Sequence, residues 1–407
     1  RLAEVYIRSN ATMICFGMGL TQHQHGSELL QQVCNLLFLR GNFGKPGAGI
    51  VPVRGHSNVQ GDRTCGIDDQ PSQKLLDNIE KVFGFAPPRE PGHNTVKAIE
   101  AMMRGEVKVF FGMGGNFVRA VPDTERSYAA MRGLDLTVGV STKLNRGHLV
   151  HGKDALILPV VARSEVIRTG KGEQVLSIED MVSKVTYSRG VLEPASENCL
   201  PEAAIVCGMA RATLPESKTP WAEFAEDYAL IRDKIAEVFP DIYSNFNARL
   251  EDPDGFHLDV PPRQRVWPTP NGKANFLLLP GLLVNEPVAD DMMLRLATVR
   301  SHDQFNTTIY SYNDRYRGVR GNRMVLFMNV EDRQARGLQN QQIIALETIG
   351  TDGVKRRVDG LTVLDYPISR GAVAGYYPEL NPLLPLYYRD RIAETPAAKS
   401  IPVRVVA

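Results

Sequence analysis

The sequence predicts an α/β protein: two related parallel-sheet lobes, followed by a small closed β barrel at the C-terminal end. Three observations carry that reading. An apolar run ending in F-G-M-G occurs twice, as "ATMICFGMG" near the start and as "VKVFFGMGGN" from Val107. Helix-patterned residues follow each copy, the alternation of a β-α-β chain. Beyond Asp290 the texture changes to short β-patterned runs divided by turns.

Taken in order, "RLAEVYIRSN" reads as the end of a helix leading into a buried strand, and a start at Arg1 without methionine gives the expectation of a piece of a longer chain. The strand "ATMICFGMG" is followed by "SELLQQVCNLLFLRGN", whose leucines recur at helical spacing behind Ser27 as an N-cap. From Gly41 to Gly66, "GNFGKPGAGIVPVRGHSNVQGDRTCG" lacks an apolar period over most of its length. It predicts a long loop with a functional role, because a disordered linker would be richer in Ser, Glu and Lys. The second F-G-M-G leads to a helix at "TERSYAAMRG", and "LDLTVGVST" and "DALILPVV" follow as strands of a mostly parallel sheet with helices on both faces.

From Arg163 to about Pro287 the pattern loosens around one long helical stretch, "PWAEFAEDYALIRDKIAEVF". There Trp221, Phe224, Tyr228, Leu230 and Ile231 fall broadly on one face and predict core packing. The last part offers strands at "MMLRLATVRS", "MVLFMN", "IIALETI", "GLTVLDY" and "IPVRVV", with a short helix in "NVEDRQARGLQNQQ" ending near Gly337. That spacing fits a small closed barrel. The chain thus divides into residues 1–56, the end of a first lobe with the long loop; 57–165, a second lobe; 166–287, a mixed connecting region; and 288–407, the barrel.

Lys plus Arg total 47 against 46 Asp plus Glu, so no overall field favours nucleic acid or an anionic membrane, and an anionic partner must be met locally. The longest apolar runs, "ALILPVVA" and "PEAAIVCGMA", are too short to span a bilayer, and no segment has the layout of a signal peptide. A cytoplasmic location is expected, with the periplasm left open. Five cysteines occur without a C-x-x-C pair, which argues against an iron–sulfur cluster or structural zinc in this portion. Cys15 and Cys34 read as small core residues; Cys65, in the glycine-rich loop, is the one placed near chemistry.

Glycine directly after a buried strand lets a ligand approach the backbone, and in open α/β sheets ligands sit at the carboxyl ends of strands. The two copies read G-M-G-L-T-Q and G-M-G-G-N-F, so neither completes G-x-G-x-x-G. Simple nicotinamide binding is disfavoured, and a nucleotide-like ligand at each turn is expected.

The stretches "GMGLTQHQHG", "NLLFLRGNFGKPGAG", "VRGHSNVQGD", "FGMGGNFVRAVPDT", "STKLNRGHLVHGKDALILP", "TPNGKANF", "ATVRSHDQFNT" and "YSYNDRYRG" resemble, in this order, the molybdopterin oxidoreductases that carry bis(molybdopterin guanine dinucleotide). The branch is the formate-dehydrogenase-alpha-like, YdeP-like group, and the resemblance covers essentially the whole chain. It implies the C-terminal portion of a longer protein and a double-psi-like, molybdopterin dinucleotide-binding barrel. It further implies a molybdenum or tungsten centre between two end-to-end dinucleotides, whose protein ligand, with any 4Fe-4S cluster, belongs to an upstream part of the same protein. No metal ligand is assigned to this segment, and the isolated piece is expected to be inactive and to bind cofactor poorly.

Carried over position by position, the resemblance assigns cofactor contacts to Met18 and Gln22, to Asn116, and to Ser141 and Thr142. Asp180 of "SIEDM" either accepts hydrogen bonds from a guanine or is simply a helix N-terminal acid. In the barrel, Thr298, Arg300, Ser301, His302, Gln304 and Asn306 are dense in donors and acceptors for phosphate and pterin edges, with Tyr376, Asn381 and Lys399 matching more loosely. Arg54 matches the formate dehydrogenase arginine that orients a substrate carboxylate beside the metal. His56 stands where that motif has glutamine, as a proton relay near neutral pH or as a neutral hydrogen-bonding spacer.

Two functions from different classes follow. One is a two-electron oxidoreductase acting on a small anionic substrate and passing electrons to a partner subunit. The other is a cofactor-free scaffold within an electron-transfer complex. Retention of Arg54, both glycine turns and "TVRSHDQFNT" favours the enzyme. Ordinary nucleotide binding is a weaker third reading, since Walker and complete dinucleotide-fold motifs are missing.

Overall fold

The computed structural model describes residues 1–53, 56, 58–279, 290 and 292–406. In the first lobe, helix α1 (Leu2–Arg8) leads to strand β1 (Met13–Phe16), which pairs in parallel with β2 (Gly49–Pro52), Met13 opposite Gly49. Between them lie a one-turn helix, α2 (Met18–Thr21), and a longer one, α3 (Gly26–Leu39). The segment read as a continuous loop therefore contains β2 and, further on, helix α4 (Val59–Thr64). Four residues flanked by glycine show no period, yet β1 supplies the backbone partners that make "GIVP" a strand. Two expectations change here. Ser27 lies inside the first turn of α3, the N-cap being His25, and the Ser27 amide and hydroxyl both donate to Asp390 of the barrel region, at 2.9 and 2.7 Å. Cys15 is exposed on β1 rather than a core residue, while Cys34 is half-buried.

The second lobe is a parallel sheet of β3 (Val109–Met113), β4 (Leu136–Ser141) and β5 (Asp154–Pro159), with Gly112 opposite Gly139. Helices Thr95–Met103 and Thr124–Arg132 form one apolar core around Ile99, Met131 and Leu134. Ile205 of helix Glu202–Thr213 packs with Val140 and Val160 in another, so helices contribute to two separate cores of this lobe. The connecting region contributes a hairpin of β6 (Ile167–Thr169) and β7 (Gly172–Gln174), and an antiparallel sheet of β8 (Leu176–Glu179), β9 (Lys184–Ser188) and β10 (Phe256–His257). The long helical stretch breaks at Asp227, whose carboxylate caps the amide of Ala229 at 2.9 Å and starts a second helix, Tyr228–Val238. The break resets the helical phase, so Phe224 and Tyr228 are buried while Leu230 is exposed.

The barrel closes in the order β11 (Leu294–Val299), β15 (Ala372–Tyr376), β12 (Val325–Met328), β14 (Arg357–Asp365), β13 (Ile343–Thr348) and β16 (Ile401–Val406). β11–β15 and β12–β14 are parallel and the remaining pairs antiparallel. β11 alternates buried and half-buried residues, and Leu294, Leu296, Leu326, Leu346, Leu361 and Val373 fill the interior with no exposure. β15 was not among the strands legible in the sequence, because "AVAGY" is small and buried at four of five positions, leaving no alternation to read. Leu386, beyond the barrel's fifth strand, packs into the second lobe's core, and the Asp123 amide donates to the Leu384 carbonyl at 2.8 Å. The barrel region thus grips both lobes and fixes how their glycine turns face it.

Candidate cofactor site

The two glycine turns are tied to the barrel by backbone. β1 passes through Gly17 into α2, where Met18 is 57% exposed at the first helical position and Gln22 follows the last. The Gln22 carbonyl accepts from the amide of Lys399, and the Gln24 carbonyl from that of Arg391, both at 3.0 Å. At the other turn, Gly114 and Gly115 have φ of +70° and +71° with open space where a Cβ would stand. That left-handed backbone is why glycine is needed there. Asn116 comes next and is buried; its amide donates to the Thr307 carbonyl at 3.4 Å, while its Oδ1 is buried without a hydrogen-bond partner.

Positive charge collects where the first turn meets the barrel. The Lys399 ammonium donates to the Thr298 carbonyl. Burial, and secondly the charge of Arg300, lower its pKa to about 8. Arg300 is exposed, its guanidinium carbon 6.0 Å from the Tyr377 ring centroid. Burial lowers the pKa of His23 and, despite a hydrogen bond to the Gly19 carbonyl that opposes the shift, Lys399 lowers it further. Neither Lys399 nor Arg300 is in an ion pair among the described residues. Cations without an ion-pair partner are electrostatically complementary to an anion.

The barrel loop after β11 divides its polar groups between bracing and presentation. Thr298 is buried, its hydroxyl and amide both donating to the Ala398 carbonyl at 3.2 and 3.0 Å. Ser301 and Gln304 are held from inside by buried Arg323, which donates to Ser301 Oγ and Gln304 Oε1 at 2.9 Å each and is paired with Glu379 at 2.8 Å. Gln304 in turn donates to the carbonyls of Asn306 and Tyr377 at 2.7 and 2.6 Å. Tyr376 is buried with its hydroxyl on Asp314 at 3.0 Å, and Asn381 is buried with its amide on the Arg119 carbonyl at 2.8 Å. Ser301, Gln304, Tyr376 and Asn381 thus brace the loop from within. His302 is half-exposed, its Nδ1 3.0 Å from Asp314 Oδ1. Asn306, at φ +50°, donates to His56 Nε2 at 3.3 Å, and the His56 ring lies 5.5 Å from that of Phe305. Arg54 lies outside the described residues.

Three predicted residues stand apart from this cluster. Ser141 ends β4 and its hydroxyl donates to the Lys143 carbonyl at 2.7 Å. Thr142 lines a cavity of about 490 Å³ shared with Asn58, Asp62, Glu202 and Arg232. Asp180 begins no helix; it sits in the β8–β9 turn, its Oδ1 accepting the amides of Val182 and Lys184 at 2.9 Å each. Sequence reasoning missed Arg323, Asp314, Tyr377 and Asn145, the last donating to the Gly115 carbonyl at 2.9 Å. The one signal for them was local: an arginine leading straight into the apolar run "MVLFMN" needs a buried acid, here Glu379, 56 residues away.

Two family models match the chain: "Molybdopterin oxidoreductase" over residues 2–146 and "Molydopterin dinucleotide binding domain" over residues 294–402. Protein YdeP of Escherichia coli (strain K12) is 45% identical over 406 residues, 99% of this chain and 53% of the relative. An uncharacterized oxidoreductase of Mycobacterium tuberculosis (strain ATCC 25618 / H37Rv) is 47% identical over 411 residues, covering 100% of this chain and 52% of that one. A putative formate dehydrogenase of Bacillus subtilis (strain 168) is 28% identical over 156 residues, 36% of this chain and 16% of the relative. The chain spans about half the length of the first two relatives. Among solved structures, acetylene hydratase from Pelobacter acetylenicus shares the fold at a TM-score of 0.54 and 16% identity, over 82% of this chain and 49% of that one. No helix among the described residues is long and apolar enough to cross a membrane. The matched binding domain indicates a molybdopterin-type cofactor, and the chain belongs to the molybdopterin oxidoreductase family.

Proposed function

We propose that this chain forms one side of the seat for a molybdenum or tungsten bis(molybdopterin guanine dinucleotide) cofactor, in a protein that oxidises or reduces a small anionic substrate by two electrons. The observation that carries the reading is the pair Lys399 and Arg300: Lys399 is bonded through its amide to the first glycine turn, Arg300 lies close enough for its charge to act on Lys399, and neither has an ion-pair partner among the described residues. The residues present fit the group. Phosphates complement the two cations, the orphaned Asn116 Oδ1 takes an N–H or O–H donor, and Gly114 and Gly115 leave backbone open to a ligand.

When bound, the cofactor supplies two-electron redox chemistry at its metal. In this reading Lys399 and Arg300 hold phosphate charge, Met18, Gln22 and Thr298 border it, and Ser301, Gln304, Tyr376 and Asn381 keep the loop rigid. Ser141, Thr142 and Asp180 serve the second nucleotide, Asp180 by accepting from a guanine edge. Arg54 orients the substrate anion through its planar fork, and His56 holds or accepts a proton beside it. An upstream 4Fe-4S cluster and an electron-transfer subunit would complete the electron route, in the cytoplasm.

Formate is the first substrate to test, because "VRGHSNVQG" resembles the formate dehydrogenase motif and one relative bears that name. The test uses the whole protein: metal analysis, release of guanine nucleotide by acid, and formate-dependent reduction of a dye. Stoichiometric metal and nucleotide with turnover that falls about 100-fold or more in Arg54→Lys would support the reading. Absence of metal and nucleotide after expression in a competent host sinks it and leaves the scaffold.

A further inference from the structure

Asp314 is enclosed by donors. Its side chain is 1% exposed; Oδ1 lies 3.0 Å from His302 Nδ1 and 3.3 Å from the Arg317 amide, and Oδ2 accepts from Arg317 Nη1 at 2.7 Å and from the Tyr376 hydroxyl at 3.0 Å. Burial pushes its pKa up, but the hydrogen bonds from Arg317, His302 and Tyr376 outweigh that and hold it at about 2. Near neutral pH the carboxylate therefore only accepts, so the proton on the shared His302 nitrogen must be the histidine's own. Arg317 Nη1 also lies 3.4 Å from that nitrogen, but its hydrogens go to Asp314 and, at 3.1 Å, to the Arg300 carbonyl. The ring is set laterally by Tyr316, 4.4 Å away, over which Arg315 lies at 4.9 Å.

We propose that Asp314 is a positioning residue that fixes His302 as its Nδ1–H tautomer, so that Nε2 is presented as a lone-pair acceptor for an N–H or O–H donor of the bound ligand. His56 is held in the complementary sense: the Asn306 amide donates to its Nε2, leaving its Nδ1 to carry the donor. One barrel loop thus sets the polarity of two histidines, an acceptor at His302 and a donor at His56. The identity of the ligand rests on the cofactor reading above; the tautomer does not.

The experiment is a long-range ¹H–¹⁵N correlation on histidine-labelled protein, with the His302 signals assigned from their loss in His302→Gln. The expected spectrum shows His302 protonated at Nδ1 and bare at Nε2. In Asp314→Asn the amide oxygen stays with Arg317 and Tyr376, which can only donate to it, and the amide NH₂ turns to His302; the proton then moves to Nε2 and the two ¹⁵N shifts exchange. His302 found protonated at Nε2 in the unmodified protein overturns the proposal, and so does an Asp314→Asn spectrum that keeps Nδ1–H. Should Asp314→Asn fold poorly, the unmodified spectrum still decides, and Tyr376→Phe, which removes a donor without touching the pair, is expected to leave the tautomer as it was. A protein that never takes up cofactor yet shows the Nδ1–H tautomer defeats the functional reading and leaves this one standing.

Discussion

Arg356 clasps Asp123 with both prongs of its guanidinium, at 2.9 and 2.7 Å, and each side chain is 3% exposed. One residue immediately precedes β14 of the barrel and the other is the N-cap of the helix Thr124–Arg132, so the pair joins the barrel to the second lobe. Asp352 also accepts from Arg356, at 2.7 Å, and Arg126 reaches Asp123 at 3.2 Å, making a network of four charges.

Removing one member of this buried pair leaves the other away from water with only its second partner, Asp352 for Arg356 or Arg126 for Asp123. Arg356→Met and Asp123→Asn are each expected to lower stability by about 3–5 kcal/mol, and the double variant by less than the sum. Denaturant unfolding of the four proteins of the cycle checks this. Additive losses would mean that the two residues do not act as a unit.

Much of this architecture was legible before the structure. β11 could be read because "LRLATV" alternates, and the doubled F-G-M-G marked two strand ends, although Met18 and Gly19 enter a helix where Gly114 and Gly115 make a left-handed turn. β2 and β15 could not, since a four-residue strand between glycines and a strand buried at nearly every position carry no period. The candidate site divides the same way. Asn116 and Lys399 were singled out only through resemblance, and Ser301 and Gln304 looked like surface donors because their partner, Arg323, is set by chain topology rather than by neighbours in sequence. Local pattern reports which residues are polar; only tertiary contacts decide which polar atoms remain free.

Gly61 gives a test of the loop that carries His56. A Cβ there would lie 2.0 Å from Asn58 Oδ1, the oxygen that accepts the Glu179 amide at 3.0 Å and so fastens the start of α4 to β8. Gly61→Ala is expected to expel the Asn58 side chain and leave a polar group unpaired, costing about 1–3 kcal/mol despite the better helix propensity of alanine. Amide hydrogen exchange should quicken at residues 58–64 and at Glu179 while the barrel stays protected. Unchanged exchange there would show that α4 is anchored by other contacts.

Asp314 makes part of the stability acid-sensitive. Its folded pKa of about 2 lies below the ordinary carboxylate value, so its contribution is fully present above about pH 4 and is lost as pH falls toward 2. The size is about 2 kcal/mol. Asp314→Asn should be less stable near neutral pH and show a shallower loss below pH 4, measured by denaturant midpoints across that range. Parallel pH profiles for the two proteins would remove Asp314 from the account.

Lys399 has the opposite bias. Its folded pKa of about 8 lies below that of an exposed lysine, because burial and the charge of Arg300 disfavour the ammonium. Without a ligand the penalty is complete below pH 8 and fades as pH rises from about 8 toward 10.5, so this residue alone makes the protein gain stability over that window. A bound anion inverts the balance by favouring the ammonium. Sulfate suits the measurement, since its own charge is constant across the range. Its affinity, followed by thermal shift or calorimetry, should be level below pH 8 and fall about tenfold per pH unit above it until the ammonium no longer contributes. Lys399→Met should bind sulfate weakly with no such break, while Arg300→Ala should move the break to higher pH by removing the neighbouring charge. A sulfate affinity that ignores both pH and Lys399 would mean that this cationic junction is not an anion seat, and the cofactor assignment would lose the observation that carries it.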